Sequence, residues 1–340
     1  MRIAVAGAGA MARRRARALI ATGRAEVCGI ASRRLESARA LGEELGCAAC
    51  CDDFRALAGT RPDALLVEVP HAAQDAIVLW ALGAGLHVLI GAPLSLDVAG
   101  GEAVRREADR RGLVVEAGFE ARYKAAWETA RDLLARGEIG RPVAVRSVAL
   151  WDGDPQSWYY DERASGGMPL THMTYTFVNP LRWIFGDPTH VSAFANRLKH
   201  TGPGHVREET CVANLLFGGE AGEVLGSLTA GYVRPGEGAY WDVTFLGTEG
   251  AVELSPTEMD AGSLRVVRGG EVREIDFAAS RDPFELQAEA FLDTLAGEDR
   301  CRNRPADVLG DLRVAEAIAL SAREKRTIAL ADFSAAPTSG

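Results

Sequence analysis

The sequence contains very little lysine, no long apolar run and no excess of positive charge. Its only lysines are Lys124, Lys199 and Lys325, so arginine supplies nearly all of the basic side chains. No stretch reaches the roughly 18 to 20 apolar residues that a membrane-spanning helix requires. The formal net charge of -9 opposes non-specific binding to nucleic acid, because neutralising phosphates takes a basic surface. These absences favour a globular protein that binds neither membranes nor nucleic acid.

The beginning of the chain lacks the pattern of a secretory signal peptide. Arg2 leads directly into the apolar residues Ile3–Ala6, which we interpret as a core strand. Cleavage of a leader there would remove the first element of the fold, so we expect a cytoplasmic protein.

Cysteine is also sparse, and only Cys47, Cys50 and Cys51 lie close together in the sequence. The spacing of Cys47 and Cys50 suits zinc only when a second pair of ligands follows at a suitable distance, and none does. We therefore favour reduced thiols beside a strand over a zinc site, and we predict no metal site.

Short apolar segments alternate with helical segments through the first 120 residues. The predicted strands cover residues 2–6, 26–31, 63–69, 87–90 and 113–116. The apolar segment Asp63–Val69 is typical of a strand that is buried on both faces of a parallel sheet. Strands and helices that alternate at this spacing predict right-handed βαβ units, and hence an α/β domain over residues 1–120.

The pattern changes after residue 120. Predicted helices cover residues 125–136 and 169–185. A predicted strand over residues 142–150 and a polar, aromatic loop over residues 152–167 lie between them, and strand-like segments dominate from residue 189 to 276. This predicts an α+β domain over residues 121–330 with a large, mostly antiparallel sheet. We expect the C-terminal helix to pack back on the first domain and residues 331–340 to form a flexible tail.

A glycine-rich turn follows the first predicted strand and opens the first helix. It fits the pattern G-x-G-x-x-G/A, and its residues are Gly7, Ala8, Gly9, Ala10, Met11 and Ala12. Gly7 allows a tight turn, Gly9 lets a pyrophosphate approach the backbone, and Ala12 permits close packing of helix and strand. The pattern alone is weak, but its place in a βαβ unit favours a Rossmann dinucleotide-binding domain over a purely structural turn.

The second strand ends at a site that lacks the expected carboxylate. An NAD-specific fold usually has Asp or Glu about 20 residues past the glycines, where it bonds the ribose 2′-hydroxyl. Here Ser32 stands at that place, and Arg33 and Arg34 follow it. A guanidinium group suits a 2′-phosphate, so we predict that NADP(H) is preferred and NAD(H) is the less favoured cofactor. The alternative is two solvated arginines at the start of a helix.

Several further segments make the chain similar to the Gfo/Idh/MocA oxidoreductase family over nearly its whole length. These segments are Gly85–Pro93, Arg136–Pro142, Gly166–Gly167, Leu181–Gly186 and Ser321–Glu324. The resemblance implies a Rossmann domain followed by an α/β domain whose open sheet often serves as a subunit interface. It therefore implies a homo-oligomer, either dimer or tetramer, and a small-molecule substrate such as a sugar, a cyclitol or a related carbonyl or alcohol compound.

Two departures from the family pattern concern the chemistry. Family members usually carry Glu-Lys-Pro after the strand that corresponds to residues 87–90 here, and the lysine helps to move the proton of the reacting oxygen beside the nicotinamide. Here the matching residues are Gly91, Ala92 and Pro93, and Ala92 cannot carry a proton. A second family pattern has Asp and, four residues later, His, whereas this chain has His172 and Thr176. Both departures predict a non-standard proton donor.

The candidates for that role are the side chains of His172, Tyr123, Lys124 and Tyr160. His172 and Thr176 share a helix face, and a histidine can act as an acid or a base near neutral pH. Tyr123 and Lys124 follow the last predicted strand of the first domain, where the resemblance implies the edge of a cleft. Tyr160 belongs to the aromatic loop, which could cap a ring-bearing substrate or simply fill a sheet surface. A structural role remains the alternative for each.

Three residues around the end of the strand at 63–69 also lie near the expected cofactor. Pro70 and His71 follow that strand directly, and Glu68 interrupts its apolar run. A buried carboxylate costs stability unless it is paired, so Glu68 either has a function or bonds to a nearby amide.

The favoured function is an NADP(H)-dependent oxidoreductase that acts on a small sugar-like, cyclic, imine or carbonyl substrate with a non-standard proton donor. The alternatives are a redox-neutral cyclase, lyase or isomerase, and a non-catalytic ligand-binding protein. We favour the first because the glycine turn and the two arginines are both intact.

Overall fold

The computed structural model divides the chain into two compact units. The first comprises Met1–Glu120 and Pro283–Leu309, and the second comprises Ala121–Asp282 and Gly310–Gly340. The structure describes residues 1–218, 222–233, 240–255, 263–277 and 280–333. In this described part, no helix is both long enough and apolar enough to cross a bilayer.

The first unit contains a parallel sheet of six strands. The strands are β1 (Arg2–Ala6), β2 (Glu26–Ala31), β3 (Cys50–Cys51), β4 (Ala64–Val67), β5 (His87–Gly91) and β6 (Val115–Gly118). Their order in the sheet is β3-β2-β1-β4-β5-β6, which confirms the predicted Rossmann domain. The order reverses between β1 and β4, and the carboxyl ends of these two strands border the crevice in which such sheets bind ligands.

Helices connect these strands, as parallel pairing requires. They are α1 (Ala10–Ala21), α2 (Leu35–Leu45), α3 (His71–Gly83) and α4 (Val98–Arg111). Every residue of β4 is fully buried, as expected for a strand that helices cover on both faces. The Asp97 side chain accepts a hydrogen bond from Gly100 N (2.7 Å) and so caps α4.

The second unit is built on a sheet of nine strands. They are β7 (Pro142–Leu150), β8 (Pro188–Asn196), β9 (Thr210–Phe217), β10 (Val224–Gly231), β11 (Tyr240–Gly247), β12 (Gly250–Ser255), β13 (Ser263–Arg268), β14 (Glu271–Asp276) and β15 (Ile328–Ala329). Their order is β14-β13-β12-β11-β7-β10-β9-β8-β15, and only the pair β7 and β10 is parallel. This confirms the predicted, mostly antiparallel sheet.

One face of this sheet packs against helices. The helical segments of the unit include α5 (Ala125–Ala135), α6 (Glu162–Ser165), a π-helix (Pro169–Val178) and α7 (Asn179–Phe185). Later in the chain they include α9 (Pro305–Glu324), from Gly310 onward, and α10 (Leu330–Phe333). Trp127 of α5 meets Phe245 edge-on, with ring centroids 6.2 Å apart, and Phe185 of α7 contacts Phe217 at 5.4 Å. Burial alternates along β9, so Cys211, Ala213 and Leu215 face this core.

The structure corrects the predicted domain boundaries at the C-terminal side. Residues 283–309 were assigned to the second domain, but they belong to the first unit because α8 (Pro283–Leu295) packs against α1. Buried Gln287 of α8 also donates hydrogen bonds to Glu116 Oε1 (3.3 Å) and to the Ala117 carbonyl (3.1 Å).

The tail prediction also needs correction, since residues 331–333 belong to α10. The rest of the predicted tail, residues 334–340, lies outside the described residues.

Candidate functional site

The glycine turn between β1 and α1 has the geometry that a pyrophosphate requires. Gly7 has φ +121°, and an added Cβ there would collide with the Glu68 carbonyl oxygen, so only glycine fits. A Cβ added at Gly9 would meet no described atom within 4 Å, so that side of the turn is open. The helix begins at Ala10, and Gly9 provides no side chain to cap its first amides. Those amides and the helix dipole therefore form a site that fits a diphosphate.

The remaining residues of the turn support the same geometry. Ala8, Ala10 and Met11 are partly or fully exposed, whereas Ala12 is fully buried against the sheet. A larger side chain at position 12 would hold α1 further from the strands and move its first turn.

Ser32, Arg33 and Arg34 lie just past the carboxyl end of β2, beside the glycine turn in the sheet order. Both arginines are exposed, and Arg34 precedes the first residue of α2. Neither guanidinium forms an ion pair with a described residue, and both side chains are exposed to solvent. Their charge and position suit a 2′-phosphate on the adenosine ribose.

The segment Gly91-Ala92-Pro93 is positioned by helix α3. Pro70 precedes α3, and His71 is its buried first residue. Gln74, also buried on α3, donates hydrogen bonds to the carbonyl oxygens of Pro93 (2.7 Å) and Leu94 (3.1 Å). Sequence reasoning missed Gln74, although its position three residues after His71 is a usable signal.

Glu68 lies between the two glycine-containing segments. Its Oε1 is 2.6 Å from Nε of Arg15, a residue of α1 that sequence reasoning also missed. Glu68 is therefore paired with a guanidinium group, whereas one of our two expectations was a hydrogen bond to a nearby amide. Burial raises the pKa of Glu68, and Arg15 opposes that rise.

In the second unit, His172 lies on the π-helix within a group of aromatic rings. Its Nδ1 is 2.6 Å from the Tyr232 hydroxyl and 3.1 Å from Thr171 Oγ1. Trp151 and Tyr159 flank the imidazole, with centroid distances of 4.5 Å and 4.9 Å. We name this set, with Trp241 next to Trp151 at 5.9 Å, the His172 cluster.

Tyr232 is suited to hold His172 in either protonation state. Burial raises the pKa of Tyr232, so its hydroxyl remains neutral at physiological pH. A neutral hydroxyl can donate to a bare Nδ1 or accept from a protonated Nδ1. The imidazole can therefore gain or lose a proton without losing this partner.

The backbone beneath His172 is unusual because it is π-helical, a form often found at functional sites. Threonine hydroxyls bond to carbonyl groups there: Thr171 to Gly167 (2.9 Å) and Thr176 to His172 (2.5 Å). Thr176 thus supports the backbone of His172, which is a positioning role.

The remaining candidate residues of this unit are Lys124, Tyr160 and Tyr123. Lys124 Nζ is 5.5 Å from the Trp241 ring, so Lys124 borders the His172 cluster. Tyr160 contacts the Tyr232 ring at 4.6 Å, on the side of His200 and His205, and no described atom bonds its buried hydroxyl. Burial raises the pKa of Tyr160. Tyr123 is buried at the start of this unit.

Tyr232 was not found from the sequence. It is separated from His172 by 60 residues, and it follows β10 as a single aromatic residue with no recognisable spacing. Gly231 at the end of β10 pairs with Leu150 at the end of β7, so the register places Tyr232, the next residue, beside Trp151.

Comparison with known proteins identifies relatives for both halves of the chain. A family described as "Oxidoreductase family, NAD-binding Rossmann fold" matches residues 1–119, and a family described as "GFO/IDH/MocA C-terminal domain" matches residues 127–253. An uncharacterized oxidoreductase from Rhizobium meliloti is 27% identical over 310 residues, which are 87% of this chain and 89% of that protein.

An inositol 2-dehydrogenase from Mycolicibacterium gilvum is 30% identical over 190 residues, which are 55% of this chain and 53% of that protein. Among solved structures, the aldose-aldose oxidoreductase from Caulobacter crescentus, complexed with glycerol, has a TM-score of 0.85 at 23% identity. That alignment covers 97% of this chain and 99% of the other. At this identity the structural match shows the shared fold alone.

Proposed function

Since the chain belongs to the Gfo/Idh/MocA oxidoreductase family, we propose that it is an NADP(H)-dependent oxidoreductase acting on a small sugar-like or cyclic carbonyl, imine or alcohol compound. The main support for this proposal is the glycine turn at the start of α1. The turn is open beside Gly9, and no side chain caps the first amides of the helix. Inositol 2-dehydrogenase among the relatives supports a polyhydroxylated ring as the substrate class.

The residues of the first unit would bind and orient the cofactor. The amides at the start of α1 would hold the diphosphate, and Arg33 and Arg34 would hold the 2′-phosphate, which favours NADP(H) over NAD(H). Gln74 would fix the segment around Pro93. When bound, the nicotinamide ring supplies the hydride chemistry.

We assign the proton transfer to His172. With Nδ1 engaged by Tyr232, the imidazole would exchange its proton with the substrate oxygen through Nε2. Trp151 and Tyr159 beside the imidazole offer flat apolar surfaces, which suit the faces of a sugar or cyclitol ring.

The test begins with binding and continues with turnover. Intrinsic fluorescence, with six tryptophans as reporters, is titrated with NADPH and with NADH. A panel of sugars, cyclitols, ketones and imines is then screened for change in nicotinamide absorbance. Failure of both cofactors to bind would eliminate the proposal, and tighter binding of NADH would overturn the preference for NADP(H).

A redox-neutral enzyme is the second candidate, and Ala92 in place of the family lysine favours it. It predicts that substrate is converted while the amount of NADPH stays constant. A non-catalytic ligand-binding protein, the third candidate, predicts binding of the ligand without turnover and no effect of H172A.

A further inference from the structure

Glu68 occupies space that a side chain at position 91 would otherwise fill. The strands β4 and β5 are neighbours, and Val67 pairs with Ile90, so Glu68 and Gly91 are the next residues along. A Cβ added at Gly91 would lie 2.6 Å from Glu68 Oε2 and 3.0 Å from its Cδ. The carboxyl group thus lies against the Gly91 backbone, where the family pattern has the glutamate of Glu-Lys-Pro.

Arg15 holds this carboxyl group in place. Its side chain is only 4% exposed, and it also donates to the Gln287 side chain (2.5 Å) and to the Gly118 carbonyl. Glu120 Oε2 is a second carboxylate oxygen near the same guanidinium, at 3.8 Å. Two carboxylates therefore surround one cation, and Glu68, with 12% of its side chain exposed, is the more accessible of the two.

The sheet order places Glu68 beside the expected position of the nicotinamide. The pyrophosphate site follows β1 and the arginines follow β2, so the adenosine half would lie over the β2 side of the crevice. The other half of a dinucleotide must then extend over the carboxyl ends of β4 and β5. Glu68 and Gly91 stand at those two ends.

We propose that Glu68 selects the redox state of the bound cofactor, because its carboxylate favours the cationic, oxidised nicotinamide ring over the neutral, reduced ring. The inference rests on the proposed function. A fixed negative charge attracts only the oxidised form, and the attraction is strong where water is excluded. The bound reduced cofactor would therefore release its hydride to a substrate more readily.

The test compares dissociation constants and does not depend on turnover. The affinities of NADP⁺ and NADPH are measured by calorimetry or fluorescence for the wild type and for E68Q, which keeps the shape and removes the charge. We expect E68Q to weaken NADP⁺ binding relative to NADPH by about tenfold. D75N is the matched control, because Asp75 is a partly buried carboxylate of the same unit that Ser95 bonds at 2.7 Å.

Two further variants separate the effect of the charge from an effect of misfolding. E68A should weaken NADP⁺ binding relative to NADPH as much as E68Q does. The double variant E68A/G91E should restore the wild-type ratio of the two affinities, because it returns a carboxylate to the same space from β5. Circular dichroism and thermal unfolding verify that each variant is folded.

The possible failures are distinguishable. If the wild type binds both forms and the affinity ratio is the same in folded E68Q and E68A, this inference is wrong and the proposed function stands. If D75N shifts the ratio as much as E68Q, a general charge effect replaces the specific role of Glu68. If no nicotinamide dinucleotide binds to the wild type, both proposals are overturned.

Discussion

We assign proton transfer to His172, because Ala92 stands where the family usually has lysine and the Tyr232 hydroxyl contacts His172 Nδ1. If His172 exchanges the substrate proton, H172A should lower kcat by about 10² to 10⁴-fold. Y232F should lower kcat by about tenfold, since one hydrogen bond is lost while the imidazole stays. The measurement is the steady-state rate against pH, once a substrate is known.

The pH profile separates a chemical role of Tyr232 from a structural one. The hydroxyl can bond both forms of the imidazole, but a hydrogen bond to the charged form is the stronger one, so the profile of Y232F should move toward lower pH. Y160F is the matched control, because the Tyr160 hydroxyl has no partner among the described atoms and its ring does not contact His172. A fully active H172A would exclude this mechanism.

The second prediction at the scale of single residues concerns the choice between NADPH and NADH and tests the role of Arg33 and Arg34. The double variant R33A/R34A should weaken NADPH binding by about tenfold or more, because charge-assisted hydrogen bonds to a phosphate are lost. The affinity for NADH should stay nearly constant, since NADH has no 2′-phosphate. R39A, an exposed arginine of α2, is the control. Equal weakening of both cofactors would instead indicate a general effect of positive charge.

At the scale of elements, long segments could be predicted and short ones could not. The predicted strands 26–31 and 142–150 agree with β2 and β7 residue by residue, because their apolar patterns are long enough to be unambiguous. The strands β3 and β15 have two residues each and were missed, since they form through pairing at the edges of sheets. The π-helix was predicted as an ordinary helix, because ten residues do not separate the two periods.

Site residues show the same division. The glycine turn and the arginine pair could be located because they lie at fixed distances from strand ends. Tyr232, Arg15 and Gln74 could not, because each acts through a partner that only the tertiary structure brings near.

The loop after β8 illustrates how a single buried side chain stabilises an element, and it gives a prediction on stability. Glu209 is fully buried and accepts hydrogen bonds from the amides of Leu198 (3.0 Å), Lys199 (2.7 Å) and His200 (2.9 Å). Its Oε1 also lies 2.7 Å from His200 Nδ1. Burial alone would raise the pKa of Glu209, but these donors outweigh burial and hold that pKa below its ordinary range.

A carboxylate with a lowered pKa in the folded state contributes stability at neutral pH. That contribution is present above the pKa of the unfolded chain, about 4.3, and is lost as the pH falls through the lower folded value. E209Q should reduce the free energy of unfolding at pH 7 by about 1–3 kcal/mol, because buried amides lose a charged acceptor. Urea unfolding at pH 7 and at acidic pH measures this.

Its neighbour Glu208 is the control for this experiment. Burial raises the pKa of Glu208, so the folded state favours its protonated form and E208Q should cost little at pH 7. A loss in E208Q as large as that in E209Q would contradict the role given to the amides.

At the scale of the whole molecule, the division into domains was predicted less well than the sheets. The change of pattern near residue 120 is visible in the sequence, but the membership of residues 283–309 is not. A helix carries no local mark of the distant segment it packs against, and the contact of α8 with α1 joins elements more than 250 residues apart.

The outward face of the nine-stranded sheet provides the final prediction, which concerns assembly. Phe194 of β8 is 61% exposed and pairs with Val212 of β9, which is 39% exposed, and Leu225 of β10 is 58% exposed. Large apolar side chains exposed on an open sheet face mark an interaction surface, so we expect this face to join copies of the chain. F194E should weaken that association by about 3–5 kcal/mol, because it buries an unpaired charge.

Light scattering coupled to size-exclusion chromatography, run over a range of concentrations, measures the mass of each species. The wild type should elute as a dimer or a tetramer, and F194E and L225E should shift it toward the monomer. I20E replaces an exposed apolar residue on α1 of the other unit and should leave the mass unchanged, which separates loss of this interface from a general effect of added charge. A wild type that is monomeric at every concentration would show that this face has another role, because its apolar side chains would then remain exposed to water without a partner copy.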